Sequence, residues 1–293
     1  MKEIAILINT RDRPTELCLL LQSLRTQTYQ NFDIFIMDDA SGTNLNNYHF
    51  FNCMVTRFRL ENHKVFLTRN EFQYGVSKAR QSIVDYAFSK DCYKYTLRVD
   101  DDVILEPDYI DRLLDVIKAG YDIASGITTP MSGPVFKRDP KFLNGIVNRV
   151  ILDDNGNYIM NGDDCGWMYT DSVILPAHHF RSCALVKKEV HDKVSYYPTK
   201  ITKHGFREEQ FFSYNAVMAG FKIGVDTMAV NYHQMTPSGG ERSQNQNELI
   251  MFNQRIFEDF TKENKDKLNN FFIKENIPDE LSLLKETNLI TRK

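Results

Sequence analysis

Several marks of large protein classes are missing from this chain. Its 293 residues hold five cysteines, Cys18, Cys53, Cys92, Cys165 and Cys183, with no C-x-x-C pair and an odd total. That leaves no disulfide frame and no thiolate zinc centre to organise the fold, and it reads as reduced thiols in a cytoplasmic setting. No apolar run is long enough to span a bilayer, and the run at 4–8 is too short for the core of a secretory leader. Charge of neither sign is in excess: 36 Lys and Arg against 39 Asp and Glu leave a net of −3. Nothing in that balance argues for a nucleic-acid or membrane-surface protein. Repeats and low-complexity linkers are absent, and there is one tryptophan, Trp167.

What is present is a sizeable apolar fraction, 42%, arranged with alternating periods. Residues 4–8, 32–37, 64–67 and 94–99 are short buried-strand runs. Between them, Leu17, Leu20, Leu21 and Leu24, and then Val76, Ala79, Ile83, Val84 and Ala87, recur at helical spacing. Strands alternating with helices predict an α/β fold, with a mainly parallel sheet covered on both faces. Beyond residue 102 the pattern is mixed. Pro107 suits the first turn of a helix carrying Tyr109, Ile110, Leu113, Leu114 and Ile117. A hairpin is expected around Asn155-Gly156, a strand over 181–186, a helix over 208–219 ended by Gly220, and strands over 221–232. The stretch 233–246 is loop-like, a helix follows over about 247–260, and a charged tail ends the chain.

Two of the strand runs end in acidic clusters, Asp38-Asp39 and Asp100-Asp101-Asp102. Adjacent carboxylates repel, so a cation is expected beside them. In open α/β sheets, ligands bind at the carboxyl ends of the strands. Oxygen ligands there suit a hard divalent ion, Mn²⁺ or Mg²⁺, bridging to phosphate. Alternation along an extended segment would turn Asp100 and Asp102 to one site and Asp101 away. Each cluster also has a plainer reading, as solvated turn residues or helix N-caps.

Five motifs in order carry a resemblance. LINTRDRPTELCLLLQSLRTQTYQNFDIFIMDDASG, NEFQYGVSKARQSIVDYA, LRVDDDVILEPDYI, SCALVKKEV and FREEQFFSYNAVMAGFKIGVDTMAVNYH together resemble the family 2 glycosyltransferases of the GT-A fold over residues 1–235. The resemblance implies a Rossmann-like, mainly parallel sheet, a smaller mixed acceptor-side region and C-terminal helices. It divides the chain into a nucleotide-sugar half (1–102), an acceptor half (103–235) and a mobile loop with a helical extension (236–293).

It also implies roles. Thr10, Arg11 and Asp12 would lie along the nucleotide, and Asp39, supported by Asp38, would accept from a uracil-type base. Arg80 would reach a phosphate or the acidic cluster. Asp100, Asp101 and Asp102 would form the donor site, with Asp102 and Asp100, and His233 as a further ligand, holding Mn²⁺ or Mg²⁺. The family's Glu-Asp pair is Glu208-Glu209 here, so a Glu one methylene longer stands where the general base is expected, and either member qualifies. Trp167 and Asp164 are acceptor candidates, and Arg242 is a candidate lid over the diphosphate.

The implied activity is metal-dependent, inverting transfer of a sugar from a nucleotide-sugar donor, UDP-linked by preference. The acceptor is open among a glycan, a lipid carrier, a protein and a modified nucleic acid. Two other classes compete. A nucleotidyltransferase would show a Gly-rich basic loop after the first strand, which NTRDRPTEL lacks. A non-catalytic nucleotide- or sugar-binding module would keep the donor site without a working base.

Overall fold

The computed structural model describes residues 2–90, 93–132, 174–196, 201–240 and 246–274, together with five short strands outside those ranges. In chain order the front half is β1 (Ile4–Thr10), α1 (Pro14–Arg25), β2 (Phe32–Asp38), α2 (His49–Leu60), β3 (Val65–Arg69), α3 (Val76–Lys90), β4 (Tyr95–Asp100), β5 (Val103–Leu105), α4 (Tyr109–Lys118) and β6 (Ile123–Pro130). The remainder is β7 (Leu143–Asn144), β8 (Val150–Leu152), β9 (Tyr158–Met160), β10 (Gly166–Met168), β11 (Ile174–Ala177), β12 (Ala184–Lys187), α5 (Lys188–His191), α6 (Glu208–Met218), β13 (Ile223–His233), α7 (Gln246–Lys274) and β14 (Ile290–Thr291).

The main sheet runs β11-β13-β6-β12-β4-β1-β2-β3, with β5 added to β13. Strands β4, β1, β2 and β3 are all parallel, as the alternating pattern predicts. Antiparallel β12 then joins β4 to β6 and so to the mixed half. The central strands are buried on both faces, and β1 is apolar on both, as parallel strands are when both are covered. In β1, Ile4, Ile6 and Ile8 pack with α1, α2 and α4, while Ala5 and Leu7 pack with α3, α6 and α7. One strand therefore supplies two cores through its period of two.

The expected hairpin is seen as β8 paired antiparallel to β9. The expected strands over 221–232 are one long strand, β13, whose register to β6 shifts between Val225 and Val230. Gly126 sits opposite this irregularity: a Cβ there would lie 2.0 Å from the Ala229 carbonyl oxygen, so the close approach requires glycine. The shift leaves the far end of β13 free to pair with β5, which brings His233 opposite Val103, directly after the acidic cluster. The last long helix runs further than its sequence pattern indicated, to Lys274, and buries Phe257 and Leu268. Among the described residues no helix is long and apolar enough to cross a membrane.

Candidate functional site

Parallel register decides where the acidic residues meet. Asn9 in β1 pairs with Asp100 in β4, and Thr10 pairs with Asp38 in β2, so three strands end side by side. Helix α6 brings Glu208 and Glu209 toward the same point, and β13 delivers His233. Between them lies a cavity of about 650 Å³, and Thr10, Asp39, all three aspartates of 100–102, both glutamates and His233 line it.

The cation expected beside the aspartates is arginine. Arg13 Nη1 lies 3.0 Å from Asp101 Oδ1 and 3.0 Å from Asp102 Oδ2. Arg80 Nη2 binds Asp100 Oδ1. His233 Nε2 lies 3.1 Å from Asp102 Oδ1. Because β4 ends at Asp100, strand alternation stops there, and Asp101 faces the same cavity rather than turning away.

The environments push these groups apart. Burial opposes ionisation of Asp100, but Arg80, Arg98 and His233 outweigh it and hold its pKa down at about 2. Burial raises Asp101 to about 6, with the charge of Asp102 adding to it and Arg13 opposing it. Burial disfavours charge on His233, yet Asp102 and Asp100 overcome this and raise its pKa.

On the α6 side the two glutamates differ sharply. The Glu208 side chain is 2% exposed and held by two guanidiniums, with Arg80 Nε at 2.9 Å and Arg98 Nη2 at 2.5 Å from Oε1. Burial raises its pKa to about 7 against the pull of Arg98 and Arg80. The Glu209 side chain is 25% exposed and takes one contact from Arg98, 3.1 Å to Oε1. Glu208 is thus an internal counter-ion, and Glu209 is the carboxylate that opens to the cavity.

Arg98 itself was not among the candidate residues, although the sequence carries a signal. It is a charged residue in the middle of the buried run YTLRV, and an arginine there must find partners. It is buried under the rings of Phe180 and Tyr196, with centroids 5.4 and 5.6 Å from its guanidinium carbon. Arg13, just before α1, carries no comparable signal in the sequence.

The nucleotide candidates take distinct places. Asp39 accepts from Asn70 Nδ2, Tyr74 N and Gly75 N at 2.7, 2.8 and 2.9 Å, so its carboxylate pins the 70–75 turn at the cavity wall. Asp38 accepts from Ser41 N and Arg69 Nη1 behind that wall. Asp12 adopts a positive φ of 55° and accepts from Gly42 N at 2.7 Å, which directs it away from the cavity. Thr10 and Arg11 line the cavity, and Arg11 Nη1 reaches the Gly240 carbonyl at 3.4 Å. Trp167 lies in β10, paired with Leu143 and Thr291. Asp164 and Arg242 lie outside the described residues.

Among the described residues no three His, Cys, Asp or Glu side chains converge as a ready metal centre. Asp102 and His233 do meet, while Asp100 turns to Arg80. That donor set, one carboxylate and one imidazole beside a cavity, fits a hard divalent ion taking its remaining ligands from phosphate and water.

The model of glycosyl transferase family 2 matches residues 5–174, which include β1 to β6 and the acidic cluster. The chain belongs to glycosyl transferase family 2. No curated protein matches it closely enough to add a relative. Its family fold is nonetheless well represented among solved structures. S. aureus TarS 1-349 superposes with a TM-score of 0.53 at 12% identity, covering 80% of this chain and 60% of that one. The same fragment in complex with UDP-GlcNAc gives 0.52 at 15%, covering 81% and 60%. Mannosyltransferase PcManGT from Pyrobaculum calidifontis, in complex with GDP-Man and Mn²⁺, gives 0.50 at 11%, covering 80% and 57%. At such identities the likeness is one of fold, the GT-A fold. This family 2 chain spans about 60% of the length of these solved chains.

Proposed function

We propose that this chain transfers a sugar from a nucleotide-sugar donor to an acceptor hydroxyl, with inversion and with help from a divalent ion. The observation that carries the reading is the pairing, across one cavity, of an acidic cluster at the ends of parallel strands with a single accessible carboxylate, Glu209, on α6. Family membership supports glycosyl transfer, and the UDP-GlcNAc and GDP-Man complexes of similarly folded proteins support a nucleotide-sugar donor. The choice of UDP rests on the resemblance at Asp38-Asp39.

Glu209 is the base. Arg98 holds one of its oxygens and leaves the other toward the cavity, where it takes the proton of the acceptor hydroxyl as the acceptor oxygen bonds to the anomeric carbon. The bond from that carbon to the diphosphate breaks in the same displacement, and no second nucleophilic carboxylate is needed. Thr10 and Arg11 line the donor side, and Arg80 keeps Asp100 ionised beside it. Mn²⁺ or Mg²⁺, held by Asp102 and His233, would neutralise charge on the departing nucleoside diphosphate.

The test is Glu209→Gln assayed against a panel of nucleotide sugars, with donor binding measured in parallel. Turnover should fall by about 10²–10⁴-fold, the usual worth of a positioned base, with donor affinity retained. Unchanged turnover would remove Glu209 from this role. Donor binding without turnover in the wild type, across donors and acceptors, would favour a binding module.

A further inference from the structure

Arg13 occupies the place where a cation belongs. Its guanidinium is the contact shared by Asp101 and Asp102, at 3.0 Å from each, and all three side chains are nine-tenths buried or close to it. The Asp102 contact is incomplete: Oδ2 is buried and faces Arg13, yet it accepts no hydrogen bond. A buried carboxylate oxygen neutralised but not hydrogen-bonded keeps a lone pair ready for another cation.

The remaining donors of Arg13 go elsewhere. Nε donates to the Ser238 carbonyl at 3.0 Å, and Nη2 reaches the Thr236 carbonyl at 3.5 Å. Gly240 N donates to the Arg11 carbonyl at 2.8 Å. The segment is shaped around this side chain. A Cβ at Gly239 would lie 2.6 Å from Arg13 Cγ, and one at Gly240 would lie 3.2 Å from its Cζ. Gly239 and Gly240 also hold positive φ values of 73° and 59°, which favour glycine.

We infer that Arg13 is the resident counter-ion of Asp101 and Asp102, and that a divalent ion loads by displacing it, which releases the 236–240 segment from the cavity mouth. This rests on the donor-site reading above and adds a specific residue and an order of events to it. Two cations cannot share Asp102 at contact distance without strong mutual repulsion, so arginine and metal ion exclude each other there. Among the described residues the Thr236 and Ser238 carbonyls reach the acidic cluster through Arg13, while Gly240 is held to Arg11, so Arg13 couples the middle of the segment to the metal site.

The experiment measures Mn²⁺ binding, by calorimetry and by Mn²⁺ electron paramagnetic resonance, on wild type, Arg13→Ala and Arg13→Lys, without nucleotide and with UDP. Amide exchange of 234–240 is followed with and without Mn²⁺. Arg13→Ala should bind Mn²⁺ at least fivefold tighter without UDP, and Mn²⁺ should raise its melting temperature more than it raises the wild type's. In the wild type, Mn²⁺ should speed exchange at 236–240. Arg13→Lys keeps the charge but loses the fork, so its segment should exchange faster even without metal, and this holds as a check if the alanine variant does not fold. Equal or weaker Mn²⁺ binding in Arg13→Ala, or wild-type exchange that Mn²⁺ leaves unchanged, would overturn the displacement. Metal-independent UDP binding in both proteins would overturn it too, while leaving the nucleotide-sugar reading standing.

Discussion

Arg98 and Glu208 show at single-residue scale how the site is built. Both side chains are 2% exposed and paired with each other, with Arg80 as a second partner of Glu208 and Glu209 as a second partner of Arg98. Removing one member of a buried pair leaves an uncompensated charge, which costs about 3–5 kcal/mol. Arg98→Met should therefore lower unfolding free energy by up to about that amount in chemical denaturation, since Arg80 still holds Glu208. The double variant Arg98→Met/Glu208→Leu should recover much of it, because replacing both partners by apolar groups is often nearly neutral. If the double variant is no better than the single, the pair is not a closed unit and Arg98 owes its place to Glu209 or Asp100. The acidic residues were legible in the sequence because they end apolar strand runs. Of their cations only Arg80 was named, through the family resemblance. Arg13 and Arg98 were not, since they come from the turn after β1 and from β4 and meet the acidic groups only through the sheet register.

At the scale of elements, strands and helices with strong periodicity were legible: β1 to β4, α1, α3 and α4 fall where apolar spacing places them. Others, α2, β6 and β11 among them, carry little signal. Helix α2 buries only Phe51 and Phe58, and β6, IASGITTP, carries a glycine and ends in proline, which weaken a strand signal. Strand β11 is four residues ending at Ala177. The reach of α7 was underestimated because most of its residues are polar. Its anchor is Phe257, which sits 5.2 Å from the Phe211 ring of α6. Phe257→Ala should destabilise the protein by about 3–5 kcal/mol in denaturant titration, as for other core Phe truncations. A cost near zero would mean that α7 is not part of the cooperative fold.

The α5–α6 layer also carries a pH dependence. His191 packs between Phe88, Tyr196 and Phe212, and its Nε2 shares a 2.8 Å hydrogen bond with Thr96 Oγ1. Burial pushes its pKa down to about 3 from an ordinary 6.5. Between those values the unfolded chain holds the extra proton, so stability is complete above about pH 6.5 and falls as pH drops toward 3. Denaturation midpoints measured from pH 7 to 4 should decline in the wild type and decline less steeply in His191→Phe, the buried His179 keeping part of the slope. An equal slope in both would assign the acid sensitivity elsewhere.

For the whole molecule, the sheet and α6 are joined by one ion network running Glu209–Arg98–Glu208–Arg80–Asp100. It ties Glu209 on one side of the cavity to the strand that ends in the acidic cluster on the other. The carboxylates on the two sides of the cavity are thereby fixed relative to each other by buried charge, within a fold that superposes on TarS and PcManGT. A nucleotide bound only by the folded state should also stabilise it, by about 2.7 kcal/mol at 100 times its Kd.

The central claim is that Asp102, with its neighbours, forms a metal-assisted nucleoside diphosphate site. Calorimetric titration of UDP, with and without Mn²⁺, on wild type and Asp102→Asn tests it most directly. We expect wild-type UDP binding to strengthen at least tenfold with Mn²⁺, and that gain to vanish in Asp102→Asn. UDP binding that is insensitive to both the metal and the substitution, or no binding of UDP, GDP or dTDP under any condition, would contradict it.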